Sequence, residues 1–138
     1  MNVQLEVVII PVSDVDRAKA FYEKLGFRFD IDIVNENFRG IQFTPPDSEA
    51  SLIFGKGVTS AKPGSADLVL AVDNVDAARE DLIARGVNVS EVFHYAGGPF
   101  NNTIEGGQIR GQGLLSTQSE FVNRKYPTAD VRKVGIKK

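Results

Sequence analysis

The chain has no cysteine and no tryptophan, and it has a single histidine, His94, among its 138 residues. The first absence excludes disulfides, thiolate metal sites and a cysteine nucleophile, and the second removes the strongest stacking platform for bases or sugars. With one histidine, any Ser-His-Asp triad would have to be built on His94, and no G-x-S-x-G surrounds any serine. No apolar run approaches the roughly 18 residues a membrane-spanning helix needs. The N-terminal MNVQLEVVIIP has neither a basic start nor a small-residue cleavage site, so the expected location is the cytoplasm, away from membranes. Charge of one sign is also lacking. Sixteen Lys and Arg oppose eighteen Asp and Glu, and a net charge of -2 gives no reason to expect a nucleic-acid partner.

What is present is ordinary for a globular protein: 42% apolar and 25% charged residues, in a length suited to one compact domain or two very small ones. The basic residues are unevenly spread. Residues 124–138 carry six of them (Arg124, Lys125, Arg132, Lys133, Lys137, Lys138) against Asp130 alone, which reads as a solubilising end able to meet its own acidic body. GKG at residues 55–57 is not a phosphate loop, because no Ser or Thr follows Lys56 in the required spacing.

The strongest signal is an internal repeat. VSDVDRAKAFYEKLG, residues 12–26, aligns without a gap on VDNVDAAREDLIARG, residues 72–86, with Val12/Val72, Val15/Val75, Asp16/Asp76, Ala18/Ala78 and Gly26/Gly86 identical. In each copy a β-rich run (LEVVIIPV, DLVLAV) meets polar residues that can cap a helix. The apolar stripe Val15, Ala18, Phe21, Tyr22, Leu25 and its counterpart Val75, Ala78, Leu82 predict two helices, each stopped by a glycine in the left-handed region.

Strands follow each helix. FRFDIDIV alternates Phe29, Ile31 and Ile33 against Arg28, Asp30 and Asp32, which predicts a half-buried strand with those two sets on opposite faces. NFRGIQFT and ASLIFG complete a strand, helix, strand, strand, strand unit. The second copy opens the same way, with DLVLAV, the helix and VNVSEVF. Residues 94–113, rich in Gly and Asn, then read as a long functional loop or lid or a poorly ordered stretch, with GLLSTQSEFV and ADVRKVGI as candidates for the last strands.

These residues resemble the glyoxalase, bleomycin-resistance and extradiol-dioxygenase superfamily, the vicinal oxygen chelate proteins. The resemblance is carried by VVIIPVSDVDRAKAFYEKLGFRFDID, IQFTPP, ASLIFGKG and AVDNVDAAREDLIARGVNVSEVFH, and it fades after about residue 105. It implies one glyoxalase-like α+β domain over residues 1–138, in which paired βαβββ modules (3–55 and 67–138, joined by a linker at 56–66) form a curved, incomplete barrel. The concave face of such a barrel holds a ligand, and a homodimer is expected.

A helix over one face of each sheet leaves the other face open. If Val8, Ile10 and Val12 lie under the first helix, Val7, Ile9 and Pro11 face the opening; Leu68, Leu70 and Val72 are then core in the second copy, with Asp67, Val69 and Ala71 open. The family's metalloenzymes place a histidine at the positions held here by Val7 and Asp67, and the superfamily's closing ligand strand has no counterpart in YPTADVRKVGIKK. A metal site wants three or more converging ligands. The expectation is therefore a small-molecule-binding protein with no metal and no cofactor, its cavity lined from Asp67, His94, Arg39, Gln42, Tyr95, Phe100 and Asn102. No catalytic residue is assigned. The alternatives are a lyase, isomerase or dioxygenase using a divalent metal ion, and a degenerate scaffold used for protein interaction.

Overall fold

The computed structural model describes residues 1–95, 108–110 and 136–137, with side-chain surroundings for residues 1–92 and for Ile136. The chain divides into two compact units, Met1–Leu68 and Val69–Lys138.

The first unit runs β1 (Val7–Ile9), α1 (Val15–Lys24), β2 (Arg28–Val34), β3 (Arg39–Thr44) and β4 (Ser51–Lys56). The four strands form one sheet in the order β1-β4-β3-β2. β1 lies parallel to β4, with Val7 opposite Ser51 and Ile9 opposite Ile53, while β4, β3 and β2 are antiparallel neighbours. Helix α1 together with β2 and β3 makes the long connection that the parallel pair of β1 and β4 demands. This is the βαβββ unit that the sequence predicts, and it gives the unit its α+β class.

The core lies between α1 and one face of this sheet. Ile10, Tyr22, Ile41, Phe43, Leu52 and Phe54 are buried there, with Val8, Val12, Val15, Ala18, Phe21, Leu25 and Phe27 packed around them. Tyr22 stacks on Phe54 with ring centroids 5.2 Å apart and leans on Phe43 at 6.0 Å, so one helix side chain touches both central strands. The predicted helical stripe is the buried one, and so is the Val8, Ile10, Val12 side of the first β-run.

The second unit contains α2 (Val75–Ala84), β5 (Asn88–Val89), β6 (Phe93–Tyr95), β7 (Gln108–Arg110) and β8 (Ile136–Lys137). β5 pairs with β8, and β6 with β7, both antiparallel. The helices repeat to the residue. Asp14 and Asn74 take extended backbone angles and accept from Arg17 N at 2.9 Å and Ala77 N at 3.0 Å, each satisfying one of the donors orphaned at a helix start. At the other end Gly26 and Gly86 have φ of 80° and 75°, where a β-carbon would be strained. Gly26 N reaches Glu23 O and Phe27 N reaches Tyr22 O, a pattern that Gly86 to Ile83 and Val87 to Leu82 reproduce.

Three expectations need correction. DLVLAV, residues 67–72, forms no strand. A strand exists by virtue of a ladder partner, and no described residue pairs with this segment; Ala66 and Leu68 instead pack against the core of the first unit. VNVSEVF is split into β5 and β6. The 94–113 segment is not all loop, because His94 and Tyr95 lie in β6 and Gln108–Arg110 form the strand beside it. The hairpin is longer than its counterpart: Ile33 pairs with Gly40, whereas Phe93, its equivalent by the repeat, pairs with Arg110.

Candidate functional site

Cross-strand partners point to the same side of a sheet, so the register assigns every side chain of β1–β4 to the helix side or the open side. On the open side one row runs Ile9, Ile53, Gln42, Ile31 across all four strands. Beside it lie Val7 and Ser51, then Thr44 and Arg28; on its other flank Gly55 faces Gly40, which faces Ile33. Ile9, Ile31 and Ile33 keep 46%, 45% and 49% of their surface exposed. The ring of Phe38 lies against Gly40, where a β-carbon would come within 2.9 Å of it, so glycine at that position makes room for an aromatic wall beside the isoleucines.

A bulge in β2 shapes the polar part of this face. The register slips between Phe29 and Ile31, leaving Asp30 as the extra residue. The strict alternation read from FRFDIDIV is therefore wrong in phase: Phe29 and Asp32 face the helix, opposite Phe43 and Ile41, while Ile31 and Ile33 face the opening. The displaced Asp30 carboxylate accepts from Thr44 Oγ1 at 2.5 Å, Gln42 Nε2 at 3.1 Å and Arg28 Nε at 2.7 Å. Thr44 and Ser51 are only 3% and 8% exposed, and their hydroxyls are 2.7 Å apart. Because Thr44 gives its single proton to Asp30, Ser51 is the donor in that pair. Burial raises the Asp30 pKa, but the hydrogen bonds from Thr44, Arg28 and Gln42 together outweigh it and hold the carboxyl below its ordinary value.

Arg39 and Gln42 share β3, but they stand three positions apart and alternation puts them on opposite faces. Gln42 is half-buried on the open side. Arg39 lies on the helix side, where its guanidinium grips Asp32 through two nitrogens at 3.0 and 2.9 Å and reaches Asp16 of α1 at 2.7 Å. Lys19 of α1 adds a 3.2 Å contact to Asp32 and sits 4.8 Å from the centre of the Phe29 ring. Hydrogen bonds from Arg39, and then Lys19, bring the Asp32 pKa to about 2 against the effect of burial, and the Arg39 guanidinium is held still more firmly protonated by Asp32 and Asp16. In this structure Arg39 is a clamp between helix and sheet.

Asp67 is exposed, in the stretch that forms no strand. His94 and Tyr95 belong to β6, with His94 opposite Ile109 in the ladder. Phe100 and Asn102 lie outside the described residues. The positions that the resemblance marks for metal ligands do not fit a divalent ion, since Val7 has no donor atom and Asp67 would stand as a single exposed carboxylate.

Asp30, Thr44 and Ser51 were not singled out from the sequence. Thr44 could have been, because IQFT places Gln42 and Thr44 on one face once Ile41 and Phe43 are read as core. Asp30 could not, because its direction is set by a bulge that leaves no local mark in the sequence.

The chain belongs to the Glyoxalase/Bleomycin resistance protein/Dioxygenase superfamily, whose family model matches residues 4–100. Solved structures agree. TnmS3, an antibiotic binding protein from Streptomyces sp. CB03234, is 34% identical over 64% of this chain and 75% of its own, with a TM-score of 0.56. A glyoxalase/bleomycin resistance protein from the same organism is 35% identical over 63% and 78%, with a TM-score of 0.53. A superfamily member from Sphaerobacter thermophilus DSM 20745 is 27% identical over 65% and 77%, with a TM-score of 0.54. No protein of curated function matches. Among the described residues no helix is long and apolar enough to cross a membrane.

Proposed function

We propose that the protein binds a small organic molecule on the open face of β1–β4 and acts by holding it, without a metal and without altering it. The observation that carries this reading is the composition of that face. Solvent-exposed isoleucines on both outer strands flank a hydrogen-bonded polar group centred on Asp30, and a few oriented polar atoms in an apolar surface are what small-molecule recognition requires. The likeness to an antibiotic binding protein at 34% identity supports the same reading. Gln42 is the sequence candidate that this face supports best. His94, Tyr95, Phe100 and Asn102 are retained as proposed ligand-binding residues, and a cytoplasmic homodimer is proposed as the working form.

Isothermal titration of the full chain against a panel of aromatic and cationic antibiotics tests this reading. Saturable binding to at least one compound, unchanged by prior treatment with a chelator, is expected. A panel without any saturable binder would overturn it, and binding that disappears on chelation would replace it with the metal-dependent alternative.

A further inference from the structure

The open face contains one group whose hydrogen-bonding orientation is forced and whose remaining capacity is unused. Gln42 sits in the middle of the row, half-buried between its apolar cross-strand neighbours Ile53 and Ile31, and the polar side chain it meets is that of Asp30. Asp30 fixes it. A carboxylate only accepts, so the side of the Gln42 amide that faces Asp30 must be its nitrogen, as the 3.1 Å contact has it. Asp30 is itself immobilised by Thr44 on the same oxygen and by Arg28 on the other. The amide oxygen of Gln42 is thereby turned away from Asp30, and among the described residues no donor reaches it. A second N–H of the same amide is likewise unspent.

We propose that Gln42 selects the ligand: its amide oxygen accepts a hydrogen bond from a hydroxyl or N–H of a flat, neutral, largely apolar molecule lying across the isoleucines. This rests on the open face being the binding surface. Neutrality follows from the charges present. Asp30 and Arg28 already compensate each other at 2.7 Å, so the described residues of this face offer no uncompensated charge for an ionic ligand to meet. Donor selectivity follows from the cost of confining a half-buried acceptor against apolar surface with no partner: a ligand that presents an ether where a hydroxyl should be leaves the Gln42 oxygen unsatisfied. The same logic makes sites built for a hydroxyl discriminate strongly against analogues that lack one.

The test uses two probes of nearly the same shape, 2-naphthol and 2-methoxynaphthalene, titrated into the full chain with probe fluorescence as the readout. Wild type is expected to bind 2-naphthol about five- to tenfold more tightly, the effect of one hydrogen bond of ordinary strength. Gln42→Met, which keeps length and volume but has no amide, is expected to bind both probes equally while melting as a folded protein. In Asp30→Asn, the new amide can donate to Gln42 as well as accept, so its orientation is no longer dictated and the preference is expected to shrink. Equal binding of both probes by wild type, or a preference that survives Gln42→Met, would overturn the assignment to Gln42 while leaving a binding face in place. Failure of both probes to bind wild type would overturn the assignment together with the binding face itself.

Discussion

The two halves of the chain share their helix ends and differ in what the helix covers. Caps, stop glycines and terminal hydrogen bonds repeat at Asp14 and Asn74, at Gly26 and Gly86, and at Phe27 and Val87. The side chains facing inward do not repeat. Tyr22 is matched by Leu82, Phe21 by Asp81 and Phe29 by Val89, so the ring stack that fills the first unit has no counterpart on α2 and β5. Among the described residues Val75 and Val87 are the buried apolar side chains of the second unit. A repeat thus preserves the local signals that start and stop a helix more faithfully than it preserves a core. Capping depends on a few atoms in one geometry, whereas a core can be filled in many ways of equal volume.

That contrast can be broken or sharpened by substitution. A large effect is expected at Gly55, where φ is +155° and a β-carbon would stand 1.7 Å from the Arg39 carbonyl oxygen. Gly55→Ala must part β3 from β4, with an expected loss of about 3 kcal/mol or more in urea denaturation. Next come the matched helix positions. Tyr22→Ala is expected to cost about 3–5 kcal/mol, as for other fully buried aromatics, and Leu82→Ala, from a half-buried site, about 1–2 kcal/mol. Equal losses at the two positions would show that the second helix covers a core as dense as the first. Smaller still are the caps, where Asp14→Ala and Asn74→Ala should each cost about 1 kcal/mol. Here it is equality that the repeat predicts.

The Arg39 clamp adds a dependence on pH that belongs to the first unit. Asp32 titrates at about 2 in the folded chain and near 4 in the unfolded one. Its contribution is therefore complete above about pH 4 and fades as the pH falls toward 2, because protonation releases Arg39 and Lys19. Asp32→Asn should lower stability at neutral pH and flatten this part of the acid denaturation profile. A profile unchanged by the substitution would remove Arg39 from its clamping role.

The sequence made the first unit legible because its signals are local and reinforce one another. Apolar spacing, a cap and a stop glycine define α1, and the runs of β3 and β4 sit between clear turns. Sidedness within β2 was not legible. One extra residue at Asp30 reverses the alternation, and only the ladder with β3 reveals it. DLVLAV misled for the opposite reason, since its β-rich composition is real but the pairing that would make it a strand is not among the described residues. Of the candidate site, Gln42 was readable as a polar residue in an apolar strand. Pairing it with Arg39 ignored their odd spacing, and its partnership with Asp30 depended on the bulge.

The central claim is that the open face, and not the helix side, receives a ligand, and isoleucine methyl NMR separates the two. Ile9, Ile31, Ile33 and Ile53 lie on the open side, while Ile10 and Ile41 are buried beneath α1. Titrating 2-naphthol into the isoleucine-labelled chain should shift the first four methyl signals along saturable curves with one common midpoint and leave Ile10 and Ile41 in place. Shifts confined to Ile10 and Ile41, or absent from all four open-face signals while the probe binds, would contradict the account.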